Sequence, residues 1–286
     1  MNNPLTDTGV AFFDFASYFS QYGALDSSLF AQPNAYGNRV SQSGADVENA
    51  IQMGYCNCLA SQQYTHPGAF MSHLGSANNP PDFILANGCA VEVKKTSSIS
   101  GEIQLNSSPV KREINIETAT RAVADVLQQE ARESAPLFYC FALMDGSFIC
   151  KVAFIEGALL DAADSQNMFG TASAGVQQAF ADTDYDYLNS KEIARIQSAQ
   201  GVFKTTLRVR PMWTITNPFS PAMGLVSGQR NVIEVVALAT PSSFNLWNSR
   251  AQIESPANPI TVTEHPWLNG VAVKAYYGRQ APGVQS

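Results

Sequence analysis

Apolar residues recur along this chain in two different periods, and each change of period marks an element. Over residues 44–58, Val47, Ile51 and Cys58 share one helical face, and Ser43 stands where a capping hydroxyl belongs. Over 117–133, Ala119, Val123, Val126 and Leu127 repeat at helical spacing and predict a second helix. Strand patterns govern other stretches. "PPDFILANGCAVEVKK", 80–95, reads as a hairpin, and "PLFYCFALMDGSFICKVAFIEGALL" as two strands joined at Asp145-Gly146. "VFKTTLRVRPMWTI" sets Thr206, Arg208 and Arg210 against Leu207 and Val209. "NVIEVVALAT" is a strand or a buried helical segment, since its period does not choose, and "VAVKAYY", 271–277, is a candidate last strand. Residues 1–43 read as an irregular arm, 63–81 and most of the chain beyond Arg250 as loop, and 161–200 as Ala-rich helices and loops. Strands before and after a central helix predict an α/β fold, a central mixed β-sheet flanked by α-helices. The expected organisation is an N-terminal arm over 1–43 and one domain over 44–286, its core at about 44–160 and additions at about 161–286.

Composition narrows the function. Hydrophobic residues make up 45% of the 286, enough for a sizeable core, while charged residues are only 14%. The net charge of −7 and pI near 4.9 argue against a nonspecific nucleic-acid coat protein, which needs a broad excess of cations. They leave room for a metal-dependent nuclease, whose cleft holds carboxylates. The charge is also uneven: residues 201–250 carry five cations against Glu234 alone, and residues 1–60 carry five acids against Arg39. Five cysteines, without a basic and apolar leader at the start, predict reduced thiols in a cytoplasmic protein. Cys56 and Cys58, with His66 and His73 downstream, have poor spacing for zinc. No apolar run is long enough for a membrane span.

The hairpin at 80–95 carries the chemistry. Alternation puts Glu92 and Lys94 on one strand face, with Val91 and Val93 on the other. A two-residue Asn87-Gly88 turn would set Asp82 opposite Val93; a three-residue turn over Ala86-Asn87-Gly88 sets it opposite Glu92, and Gly88 is suited to the positive φ such a turn needs. Two adjacent carboxylates raise each other's pKa unless a cation intervenes. Mg²⁺ meets that need with oxygen ligands, and it neutralises charge growing on a phosphoryl oxygen. Lys94 would donate to that oxygen or orient the attacking water. Lys94, Lys95, Lys111 and Arg112 form a basic patch around the acids, as the approach of a polyanion requires. The alternative is a solvent-facing strand carrying an ordinary Glu–Lys pair.

"SANNPPDFILANGCAVEVKK" and "GEIQLNSSPVK" resemble the PD-(D/E)xK nuclease superfamily, and more closely its type II restriction endonucleases. The likeness rests on Pro81-Asp82, Glu92-Val93-Lys94 and Leu105-Asn106-Ser107-Ser108-Pro109-Val110-Lys111, and it is close over 76–111. It implies a restriction-endonuclease-like core and Mg²⁺-dependent cutting of double-stranded DNA at a short sequence. It also implies a homodimer with one site per strand, and a companion methyltransferase that shields the bacterial cell's own DNA. Asp82, Glu92 and Lys94 would be catalytic, with Glu48 (or, less fittingly, Asp46) supplying a further acid to the metal from the first helix. Gln104, Asn106, Ser107 and Ser108 suit base edges or phosphates, Lys111 and Arg112 suit phosphates, and Arg208 and Arg210 suit guanines. Asn217 and Arg230 are further loop candidates, and Trp213 is expected to pack. The other functions weighed are a repair or junction-resolving nuclease of the same fold and a noncatalytic DNA-binding module.

Overall fold

The computed structural model describes residues 25–26, 45–52, 71–76, 79–106, 109–160, 162–188, 190, 192–227, 233–245, 260–265 and 269–277. Ser43, Cys56, Cys58, His66 and Arg230 lie outside them, as does nearly all of the expected arm. In chain order the elements begin with β1 (Leu25–Asp26), α1 (45–52), β2 (Met71–Ser76), β3 (Asn79–Leu85), β4 (Ala90–Thr96), β5 (Glu102–Asn106) and β6 (Glu113–Asn115). They continue with α2 (Arg121–Gln129), β7 (Ser134–Asp145), β8 (Phe148–Glu156), α3 (Ala162–Ala179), β9 (Asp186–Tyr187), β10 (Ala194–Gln197) and β11 (Thr206–Val209). Last come β12 (Trp213–Thr216), β13 (Ile233–Ala239), α4 (Pro241–Asn245), β14 (Ile260–His265) and β15 (Gly270–Tyr277). The fold is mixed α/β.

Ten strands form one mixed sheet in the order β14-β15-β13-β8-β7-β4-β3-β2, with β1 pairing on β8 and β6 on β7. The β4–β7 and β8–β13 pairs are parallel, and the other ladders are antiparallel. Parallel pairing needs long crossovers, and α2 lies within the one from β4 to β7. From Leu137 to Met144 every residue of β7 is buried, as expected of a strand covered on both faces. Phe138, Cys140, Ala142 and Met144 of that strand join a core with Phe83, Val91, Val235 and the α1 residues Val47, Ala50 and Ile51.

"NVIEVVALAT", left open between strand and buried helix, is a strand: all seven residues of β13 are buried, between β8 and β15. Other expectations are corrected. Residues 63–81 are not all loop, because β2 and the start of β3 lie there, and β14 occupies part of the tail read as loop. Both missed strands end the sheet path. An edge strand needs little apolar signal, and Thr261, Thr263 and Glu264 of β14 are exposed. The second helix starts later than expected, at Arg121. The Asn115 side chain accepts bonds from Thr118 N (3.1 Å) and Thr118 Oγ (2.7 Å) and holds the preceding residues in a turn. It also ends earlier, at Gln129. Ala131 N donates to Gln128 O and Arg132 N to Leu127 O, a Schellman closure with Ala131 at φ 53. "VFKTTLRVRPMWTI" divides into two strands, β11 and β12, in separate small sheets.

The chain falls into two compact units, residues 1–103, 111–160 and 216–286 in one and 104–110 with 161–215 in the other. The first holds the ten-stranded sheet. The second holds α3 and the three-stranded sheet β11-β10-β9. Among the described residues no helix is long and apolar enough to cross a membrane.

Candidate active site

The β3–β4 hairpin turns through Ala86-Asn87-Gly88, with Leu85 N donating to Cys89 O (3.0 Å) and Gly88 N to Leu85 O (2.8 Å). The ladder pairs Phe83 with Val91 and Ile84 with Ala90, so the same register sets Asp82 level with Glu92. This is the three-residue turn. Its positive φ belongs to Asn87 (φ 55) and not to Gly88; Asn is the side chain that tolerates the left-handed region best. The turn is held from outside by two residues that sequence reasoning passed over. Asn87 N donates to Glu130 Oε1 (3.0 Å), Arg132 Nη1 donates to Gly88 O, and Arg132 and Glu130 form an ion pair. The Schellman turn ending α2 delivers both, and periodicity carries no trace of it.

At the other end of β3, an added Cβ on Gly75 would lie 2.3 Å from Pro81 O and 3.0 Å from Asp82 Cα. Backbone on that side cannot yield cheaply, so only glycine lets β2 run this close to Asp82. Gly75→Ala is expected to destabilise the protein by about 1–3 kcal/mol and to slow any reaction that depends on Asp82. Thermal melting paired with a rate assay checks this, and a variant unchanged in both would refute it.

Asp82 Oδ2 accepts a bond from Val93 N at 2.6 Å. The residue keeps some surface open, yet burial is the largest cause pushing its carboxyl well above the ordinary range. The charges of Glu92 and Glu48 push the same way, and Lys94 and the Val93 bond oppose them. Lys94 Nζ lies 2.5 Å from Glu92 Oε1, both side chains being mostly covered, while Glu92 Oε2 is buried without a hydrogen-bond partner. Glu48, on α1, accepts a bond from Gln52 Nε2 at 3.1 Å; burial and then the Glu92 charge raise its pKa. Asp46 instead acts on Lys95, whose pKa burial lowers. The acid of α1 that feels the hairpin pair is therefore Glu48.

Tyr139 stands opposite Glu92 in the β4–β7 ladder, and its hydroxyl accepts a bond from Lys111 N at 2.9 Å. Burial foremost, and the Glu92 charge in the same direction, raise its pKa. Tyr139 thus ties the chain at Lys111 to the strand beside Glu92. The strand pattern gave no sign of this bond. Among the described residues no three carboxylate, imidazole or thiolate groups are close enough to hold an ion by themselves. The donor set still suits Mg²⁺, which binds through one or two carboxylates and keeps several waters. An unpartnered buried carboxylate oxygen beside a second carboxyl of raised pKa is where one divalent charge would remove the conflict.

The expected DNA-contacting residues divide. Gln104 is exposed on β5 and Arg112 is exposed; Lys111 is half-buried. Asn106 ends β5, while Ser107 and Ser108 lie outside the described residues. Arg208 and Arg210 belong to the second unit, and both reach Glu192: Arg208 Nη2 lies 2.6 Å from Glu192 Oε1, and Arg210 Nε bonds the same oxygen. Hydrogen bonds from Arg208 foremost, and from Arg210, lower the Glu192 pKa to about 2. The expected alternation at β11 does not bury Leu207, which is 55% exposed. Asn217 is not a surface contact: it is buried, with Nδ2 donating to Ser98 O (2.8 Å) and Oδ1 accepting from Phe219 N (2.9 Å). Trp213 is half-buried.

A strand-borne Asp, a Glu-x-Lys on the next strand and a helix acid form the kind of carboxylate–lysine cluster that suits metal-assisted phosphodiester chemistry. The family model described as NgoPII restriction endonuclease matches residues 25–265, and the chain belongs to that family. The type II restriction enzyme NgoPII of Neisseria gonorrhoeae is 28% identical over 189 residues, covering 64% of this chain. The aligned part spans 66% of that relative's length. No solved structure matches the chain.

Proposed function

We propose that the protein is a type II restriction endonuclease that hydrolyses phosphodiester bonds of double-stranded DNA at a short defined sequence and requires Mg²⁺. The observation that carries this reading is the buried, unpartnered Glu92 Oε2 beside Lys94 and the raised Asp82 carboxyl, in a chain of a restriction endonuclease family. Asp82 and Glu92 would hold the metal, and Glu48 would reach it through water. When bound, Mg²⁺ supplies positive charge to the phosphoryl oxygens and makes water easier to deprotonate. Val93 N fixes one oxygen of Asp82, which leaves the other for the cation. Lys94, now on Glu92 Oε1, turns its ammonium to a phosphoryl oxygen or to the attacking water and stabilises charge as it grows. Lys111 and Arg112 bind phosphates near the site, with Gln104, Asn106, Ser107 and Ser108 on the adjoining segment as base or phosphate contacts. Arg208 and Arg210 read guanines once DNA competes with Glu192.

The core has the restriction-endonuclease-like fold, residues 161–286 carry recognition and dimer surfaces, and two copies act together, one per strand. A companion methyltransferase in the same bacterial cytoplasm shields the host's sites. Incubation with phage DNA, with and without Mg²⁺, is expected to give discrete fragments only with the ion. A smear would indicate an unspecific nuclease, and intact DNA a binding module.

A further inference from the structure

In the second unit, β10 and β11 form a hairpin with Ala194 opposite Val209 and Gln197 opposite Thr206. Its loop is ordered by its own bonds. Ser198 N donates to Thr205 O (2.9 Å), Thr205 N to Ser198 Oγ (3.1 Å) and Lys204 Nζ to Ala199 O, while Gly201 reverses the chain at φ 97. On that closed tip Val202 is 93% exposed and Phe203 94% exposed. Two adjacent large apolar side chains held almost wholly in water gain nothing for the fold. Such an arrangement marks a surface meant to be covered.

The chemistry around the tip selects what covers it. From Ala194 to Arg210 the chain carries Arg195, Lys204, Arg208 and Arg210 and no acid, within a protein of net charge −7. Glu192 holds Arg208 and Arg210; Arg195 and Lys204 form no ion pair among the described residues. A second copy placed tip to tip would set these cations against their equals. A polyanion with an apolar interior does not meet that repulsion. Duplex DNA offers phosphates to the cations and stacked bases to the apolar pair.

We propose that the Val202–Phe203 tip is a wedge that enters duplex DNA at a base step, Phe203 parting the stack while Arg195 and Lys204 bind the flanking phosphates. Apolar side chains inserted in this way unstack and kink a duplex, and the bent duplex wraps more protein surface. The proposal rests on the DNA-cutting reading above.

The test begins by sequencing the ends of phage DNA fragments to map the site. Duplexes carrying 2-aminopurine at successive positions across and beside that site then report unstacking as increased fluorescence. The wild-type protein is expected to raise fluorescence several-fold at one step. Phe203→Ala is expected to bring it close to baseline and to weaken site binding roughly 10- to 100-fold, the range for loss of one base–aromatic stack. Its melting temperature should be unchanged, and Phe203→Trp should retain the signal. Cutting by the wild type with no fluorescence rise, or Phe203→Ala with unchanged binding and fluorescence, would overturn the wedge and leave the nuclease reading standing. A Phe203→Ala protein whose only defect is a smaller mass in sedimentation would assign the tip to a second copy. A wild type that neither binds nor cuts DNA would remove both proposals.

Discussion

Asp82→Asn is expected to abolish DNA cleavage, by on the order of 10³-fold, while leaving DNA binding in place. The substitution keeps the shape and an oxygen for the Val93 N bond, so the hairpin stays as it is. What is lost is the charge that attracts the cation. Lys94→Ala is expected to cut the rate as deeply, through loss of the ammonium beside Glu92. The same chemistry has a signature in stability. Asp82 titrates well above its ordinary value of 3.8 in the folded chain, and Glu48 also titrates above its ordinary 4.5. The unfolded acids ionise more readily than the folded ones. Without metal, the folded state is therefore favoured most when both acids are protonated, below those ordinary values. It loses stability as pH rises through the raised folded values. Asp82→Asn removes the larger part of that loss, so the metal-free variant is expected to be more stable than the wild type at neutral pH. Mg²⁺ should raise the urea midpoint of the wild type and leave that of Asp82→Asn almost unchanged. Unfolding curves across pH, with and without Mg²⁺, check this beside the cleavage assay. Wild-type cutting by the variant, or a wild-type midpoint indifferent to Mg²⁺, would remove the site assignment.

How much of this was legible beforehand follows from which forces leave a mark on local sequence. The pairing of Asp82 with Glu92 was legible because strand alternation and a three-residue turn leave little choice. The residue that bears the turn's positive φ was not, since Asn87 and Gly88 both tolerate it, and the turn's bonds to Glu130 and from Arg132 come from more than 40 residues away. The buried strands β7 and β8 announced themselves by apolar runs, the run at β13 left strand and buried helix open, and β2 and β14 at the sheet edges gave no such sign. Arg208 on β11 and Arg210 just past its end both reach Glu192, which was invisible as their partner because it comes from just before a different strand. Tyr139 went unmarked, and Asn217 passed as a loop contact, for the same reason. Each does its work through one long-range hydrogen bond that no period encodes.

One buried pair in the main sheet has the shape of a structural commitment rather than a reaction site. Lys151 on β8 is wholly buried and stands opposite Glu234 on β13, where the two form an ion pair. Ser227 N and Oγ both donate to Glu234, the latter at 2.9 Å, so the carboxylate is well supplied. Alternation points both residues away from the core face that holds Val152 and Val235. The pair thereby fixes the register of a parallel junction whose other paired residues are all apolar. Removing one member leaves a charge in the sheet without its counter-ion, and that is far more costly than removing both. Glu234→Leu is expected to lower stability by about 3–5 kcal/mol, whereas Lys151→Met combined with Glu234→Leu should recover most of the loss. Urea unfolding of the two single variants and the double variant measures the coupling. If the single variant lost under about 1 kcal/mol, the value of an ordinary surface pair, the ion pair would not be what holds β8 and β13 in register.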